Sequence, residues 1–301
     1  MGHRPHLSLL TTGPGTGRVP VPGRFGAVMP AERSTTLDVV ERAVLRAMER
    51  GGRRPFVLGI CGAQGSGKST LSEALVLAMR ARGVSTSVLS LDDLYRTRAE
   101  RMVLARDIHP LFAVRGVPGT HDIALGRAII ADLDAGRDAR LPRFDKAHDD
   151  RAPPDRWEAA PGDTALLVLE GWCVGARPQT AKALEAPVNA LEREEDPDGR
   201  WRRAANDALA GDYQALFARL DMLVLLAAPG FEAVRDWRIE QEHGLARTAG
   251  AEAAGVMSDG QVERFIGFYE RLTRHILDEM PARADLVIRL AWDRSPLSVG
   301  I

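Results

Sequence analysis

The chain has 301 residues, a formal net charge of -1 and 45% hydrophobic residues. That length suits one large α/β domain with extensions, or at most two domains, and is ample for a buried core. A net charge near zero gives no sign of a nucleic-acid or membrane partner. No apolar run approaches the roughly 20 residues that span a bilayer, and there is no secretory h-region. The two cysteines, Cys61 and Cys173, are too few for a disulfide scaffold or a metal cluster and predict a reducing, cytoplasmic compartment.

Residues 1–34 are rich in Gly, Pro and Arg, and their first acid is Glu32. This composition predicts a disordered tail ahead of a single domain over 35–301. An organellar transit peptide is a second reading, disfavoured because the stretch has no amphipathic helical period; a true start at Met29 is a third. Thr35 to Arg50 reads as an amphipathic helix stopped by Gly51. Phe56 to Cys61 is a short apolar run entering glycines, as in a buried parallel strand. A helix from Ser69 to Arg82 follows, stopped by Gly83, then a strand from Val84 to Leu91. Asp122 to Ala135 reads as a helix with Asp122 as N-cap. Ala165 to Leu169 is a third strand. The charged stretch over 180–219 is helical, broken at EDPDG. Met222 to Ala227 is a fourth strand, Phe231 to His243 and Ser258 to Glu279 are helices, and Ser258 with Gln261 forms a capping box. Leu286 to Leu290 is a fifth strand. Short apolar strands alternating with helices predict a three-layer α/β P-loop fold: a mostly parallel five-stranded sheet covered on both faces, plus a lid helix. Sites in such sheets lie beyond the carboxyl ends of the strands.

Gly62 to Thr70, GAQGSGKST, follows the first strand and satisfies G-x-x-x-x-G-K-[ST]. Its backbone, over Gly62, Ala63, Gln64, Gly65, Ser66, Gly67, Lys68, Ser69 and Thr70, is predicted to wrap the phosphates of ATP. The helix beginning at Ser69 points its positive dipole end at the same anion. Lys68 reaches the β/γ-phosphates and the Ser69 hydroxyl ligates Mg²⁺. Glu170, closing the third strand, stands where a Walker B acid faces that ion. Asp92, closing the second, is expected to accept the acceptor hydroxyl's proton and to help hold the metal; Asp93 competes with it as a helix N-cap. Only Lys68, Lys146 and Lys182 are lysines, so Lys146 stands out in a chain whose arginines are otherwise unremarkable.

Four further segments, HPLFAVRGVPGTHD (His109–Asp122), LPRFDKAHDDRAPPDRW (Leu141–Trp157), VLEGWCVG (Val168–Gly175) and WRIEQE (Trp237–Glu242), occur in this order with GAQGSGKST and LDDLY. Over roughly 55–295 the chain thereby resembles the D-glycerate 3-kinases of the plant and bacterial P-loop type, relatives of uridine kinase, phosphoribulokinase and bacterial pantothenate kinase. The resemblance implies transfer of the ATP γ-phosphate to the 3-hydroxyl of D-glycerate. It also implies an acceptor pocket around Arg115, His121, Arg143 and Lys146 and a lid around Arg235 and Arg238, with Arg238 over the transferring phosphate. The chain departs from the pattern in LDDLY, where an aromatic often precedes the tyrosine, and in its charged segment between the third and fourth strands. A small anionic acceptor needs cations to hold its carboxylate, and these polar loops supply them. The competing readings are a kinase for pantothenate, uridine or a sugar phosphate; a nucleotide-switch GTPase or metallochaperone, against which stands the lack of N-K-x-D; and a nucleotide-binding regulator without catalysis.

Overall fold

The structure, a computed structural model, describes residues 35–249 and 257–300; the tail expected over 1–34 lies outside them. Helix α1 (Thr36–Glu49) opens on a capping box between Thr35 and Asp38 and buries Val40 and Val44. Strand β1 (Phe56–Gly62) runs into helix α2 (Lys68–Ala81), and strand β2 (Thr86–Ser90) returns to the sheet. Helices α3 (Arg98–Asp107) and α4 (Ile123–Asp134) precede strand β3 (Leu166–Gly171). Helix α5 (Arg200–Ala208) leads towards strand β4 (Met222–Ala227). Helices α6 (Phe231–Ala249) and α7 (Asp259–Glu279) are followed by strands β5 (Leu286–Leu290) and β6 (Pro296–Gly300).

The sheet order is β6-β5-β4-β1-β3-β2. The five strands expected from the sequence all pair in parallel, and β6 adds a sixth, antiparallel to β5 at the edge. Period-two alternation divides the strand residues between two cores. Phe56, Leu58 and Ile60 of β1 face one core with Val40, Val44, Leu75 and Met79 of α1 and α2. Val57 and Cys61 face the other with Ile129, Ile130 and Leu133 of α4 and Leu272 and Ile276 of α7. Both faces are therefore covered, which is why the strands read as continuous apolar runs.

The predicted caps are present: Asp122 Oδ1 accepts from the Leu125 backbone N–H at 3.0 Å, and Ser258 with Gln261 closes a capping box on α7. Three features were not anticipated: α3, the edge strand β6, and two small antiparallel pairs, Ala139–Leu141 with Glu158–Ala160 and Phe144–Asp145 with Asp150–Arg151. These pairs lie in the stretch between α4 and β3 and shape the loop that carries Lys146.

Candidate nucleotide and acceptor cleft

The carboxyl ends of β1, β2 and β3 meet in register. Glu170 pairs with Ile60 of β1 on one side and Ser90 of β2 on the other, so the phosphate loop, Asp92 and Glu170 converge at one edge of the sheet. Gly65 has φ +77°, and a Cβ there would sit 2.8 Å from Trp237 Cβ of α6; only glycine allows that approach. The Ser69 hydroxyl donates to Glu170 Oε1 at 3.4 Å. Gln64 Oε1, Ser66 Oγ and Glu170 Oε2 are buried without a hydrogen-bond partner among the described residues. Buried polar atoms are normally satisfied: the Ser66 hydroxyl would donate to a phosphate oxygen and a cation would satisfy Glu170 Oε2, so these two atoms, with Ser69 and the backbone of residues 62–70, fit a phosphate chain with its cation.

From the loop a cavity of about 360 Å³ extends past Asp92 to Arg115 and Lys146. Lys68, Arg115, Lys146 and Arg238 line it against a single carboxylate, Asp92, and Tyr95, Trp172, Phe265 and Tyr269 form its aromatic wall. Lys146 Nζ donates to Asp92 Oδ2 at 2.8 Å, and the Tyr95 hydroxyl donates to Oδ1 at 3.2 Å. Burial works to raise the Asp92 carboxyl, but Lys146 and Lys68 outweigh it and hold the group below the usual carboxylate range, so it is ionised at neutral pH. Arg238 projects from α6 over the Phe265 ring, 5.3 Å from Cζ to centroid, and pairs with Glu242. Arg235, by contrast, is half-exposed, pairs with Asp236 and does not line the cavity.

Two residues expected in the acceptor pocket stand elsewhere. Arg143 bonds Asp93 Oδ2 at 2.8 Å and pairs with Glu158, lining a groove beside α2 that shares Ser69 with the cleft and is bordered by Glu170. Asp93 also accepts from the Phe144 N–H at 2.9 Å, so it anchors this loop rather than capping a helix. His121 is buried behind the wall: its ring stacks on Tyr95 at 4.4 Å, and Nδ1 meets the Tyr213 hydroxyl at 2.5 Å. Burial pushes its pKa down to about 3, so the ring is neutral. Conversely, Tyr95, Trp172, Gln241, Phe265 and Tyr269 line the cleft without having been singled out; for Tyr95, Trp172 and Gln241 the signal was their place inside LDDLY, EGW and WRIEQE. Gly116 brings the RGVPGTHD loop against this wall. At φ +147°, a Cβ on it would lie 2.5 Å from the Tyr269 hydroxyl, and its carbonyl accepts from Trp172 Nε1 at 3.0 Å.

A parallel sheet ending in a glycine cradle, with an acid on the neighbouring strand and an arginine-bearing helix above, defines the class of P-loop kinases. Over 252 residues the chain is 33% identical to a Schizosaccharomyces pombe protein named as the uncharacterized kinase mug58, covering 78% of this chain and 87% of that protein. It is 26% identical over 258 residues to the chloroplastic D-glycerate 3-kinase of Arabidopsis thaliana, covering 81% of this chain and 54% of the plant protein, so it spans about half of that relative. The chain belongs to this P-loop kinase family. The structure of D-glycerate 3-kinase from Cryptococcus neoformans superposes with a TM-score of 0.74 at 23% identity, covering 89% of this chain and 99% of that one, and so shares the fold. A family model for the methylmalonyl Co-A mutase-associated GTPase MeaB matches residues 27–97, the stretch around the phosphate loop. Among the described residues, no helix is long and apolar enough to cross a membrane.

Proposed function

We propose that the protein transfers the γ-phosphoryl group of ATP to the 3-hydroxyl of D-glycerate, giving ADP and 3-phosphoglycerate. The observation that carries this reading is the continuity of one basic cleft from the phosphate loop, past an ionised Asp92, to Arg115 and Lys146. Lys68 and the loop backbone hold the phosphates in it; Ser69, which lines this cleft, and Glu170, which borders the groove beside α2, would hold Mg²⁺ with the help of Asp92. The metal, when bound, neutralises charge on the phosphoryl oxygens. Asp92 accepts the proton of the attacking hydroxyl, and Arg238 stabilises charge on the transferring group. Arg115 and Lys146 take the acceptor's carboxylate. Arg143 and His121 act one layer further out: Arg143 braces the loop through Asp93, and His121 backs Tyr95. The D-glycerate 3-kinase relative supports the choice of acceptor. A cytoplasmic location completes the reading, supported by two buried free cysteines.

The test is ADP release by the purified protein across D-glycerate, L-glycerate, pantothenate, uridine and ribulose 5-phosphate. D-glycerate is expected to give the highest kcat/KM. Preference for another acceptor would leave the kinase class standing and remove the substrate assignment.

A further inference from the structure

Behind the acceptor end of the cleft lies a buried arginine that the proposed reaction does not use. Arg101 of α3 is fully buried, and an arginine is sealed from water only where its donors are satisfied. Its Nη1 donates to the Arg96 carbonyl at 2.7 Å and its Nε to the Ala113 carbonyl at 3.3 Å. Its Nη2 reaches both the Asp149 carbonyl, at 3.1 Å, and Asp149 Oδ2, at 2.5 Å. The other oxygen of that carboxylate, Oδ1, pairs with Arg115 Nη1. Both guanidiniums lie over the Phe144 ring, with Cζ 5.6 Å from its centroid for Arg101 and 5.5 Å for Arg115. Asp149 adopts φ +53°, a left-handed conformation uncommon outside glycine and best tolerated by Asp and Asn.

We propose that Asp149, held from behind by Arg101, is a positioning residue for Arg115: it fixes that guanidinium at the acceptor end of the cleft without touching the acceptor. This inference rests on the reading of Arg115 as an acceptor-binding residue. The burial supports it. Two guanidiniums share the Asp149 carboxylate, and Asp150 adds its field on Arg101. Arg101 is sealed off while the Arg115 side chain is 27% exposed, so of the two guanidiniums Arg115 is the one presented to the cleft. Among the described residues Arg115 uses Nη1 alone, and the rest of its planar fork remains to receive a carboxylate. A long side chain already ordered by Asp149 loses less conformational freedom when the acceptor arrives.

The experiment is steady-state kinetics with ATP and D-glycerate on Asp149→Asn, Arg101→Lys and Arg115→Ala, and on the double variant Asp149→Asn/Arg115→Ala. Asp149→Asn is nearly isosteric, so it keeps the test informative if Arg101→Lys folds poorly. Asp149→Asn and Arg101→Lys are each expected to raise the KM for D-glycerate about ten-fold or more, as loss of a charge-assisted hydrogen bond does. The KM for ATP should stay unchanged. In the Arg115→Ala background, Asp149→Asn should add almost nothing. Arg115→Ala raising the glycerate KM while Asp149→Asn leaves it alone, or effects that simply add in the double variant, would overturn the positioning role. An unchanged glycerate KM in Arg115→Ala would overturn the acceptor reading itself, and this inference with it.

Discussion

Asp92 and Asp93 are neighbours in sequence with opposite surroundings. Asp92 faces the cleft between Lys146 and the Tyr95 hydroxyl; Asp93 turns away to Arg143 and the Phe144 N–H. Replacement of Asp92 by Asn should therefore lower kcat by about 10²–10⁴, the usual contribution of a general base, and leave the KM for ATP nearly unchanged. Asp93→Asn should instead lower the melting temperature, because its half-buried carboxylate is held by the Arg143 guanidinium and the Phe144 N–H. If steady-state kinetics find Asp93→Asn more damaging to kcat, the base is the other aspartate. Lys68→Ala should abolish turnover and weaken ATP binding, since the β/γ charge loses its cation; wild-type turnover in that variant would remove the phosphate-loop assignment. Glu170→Gln should raise the Mg²⁺ concentration needed for half-maximal rate, and an unchanged metal titration would leave Glu170 as a strand-end acid. The phosphate loop was legible in the sequence because its chemistry is mostly backbone, fixed by glycine spacing. Arg143 and His121, expected at the acceptor, do not line the cavity: one bonds Asp93 and the other stacks behind Tyr95. Residue type and segment do not reveal which way a side chain turns, and in a chain this rich in arginine many guanidiniums sit in ion pairs.

Gly116 shows how tightly the elements around the cleft are fitted. Its loop presses against Tyr269 of α7 and holds Trp172 after β3, so a helix and the end of a strand close on one residue without a side chain. Gly116→Ala should cost on the order of 1–3 kcal/mol, from overpacking and a disfavoured φ. Thermal unfolding reads this directly, and an unchanged melting temperature would mean that the wall yields. At this scale the apolar strands and capped helices were legible because periodicity and caps are local signals. The unanticipated elements lack those signals. Strand β6, in PLSVG, begins with proline and is exposed throughout. The strands of the two small pairs run only two or three residues each, too short for alternation to register. Helix α3 has a capping box at Thr97 and Glu100, but its buried residue is Arg101, which breaks the apolar stripe.

Stability of the whole molecule should carry the signature of His121. Its folded pKa is about 3 and its ordinary value 6.5, lowered by burial against Tyr95 and Tyr213. The unfolded chain therefore binds this proton first. The contribution is complete above pH 6.5 and is lost as pH falls from there towards 3, by up to about 1.4 kcal/mol per pH unit. His121→Phe removes the group, so its melting temperature should fall less steeply below pH 6.5 than that of the wild type, even if it starts lower. Parallel acid limbs would show that His121 is protonated in the folded state.

A phosphate cradle, an ionised Asp92 and the cations Arg115 and Lys146 line one cleft, and the proposal is that this cleft delivers the γ-phosphoryl group to the 3-hydroxyl of D-glycerate. Phosphorus NMR of the products formed from ATP and D-glycerate tests it most directly. ADP and 3-phosphoglycerate are expected in equal amounts from the wild type and neither from Lys68→Ala. The 2-phosphate, or ADP formation that does not depend on D-glycerate, would contradict it.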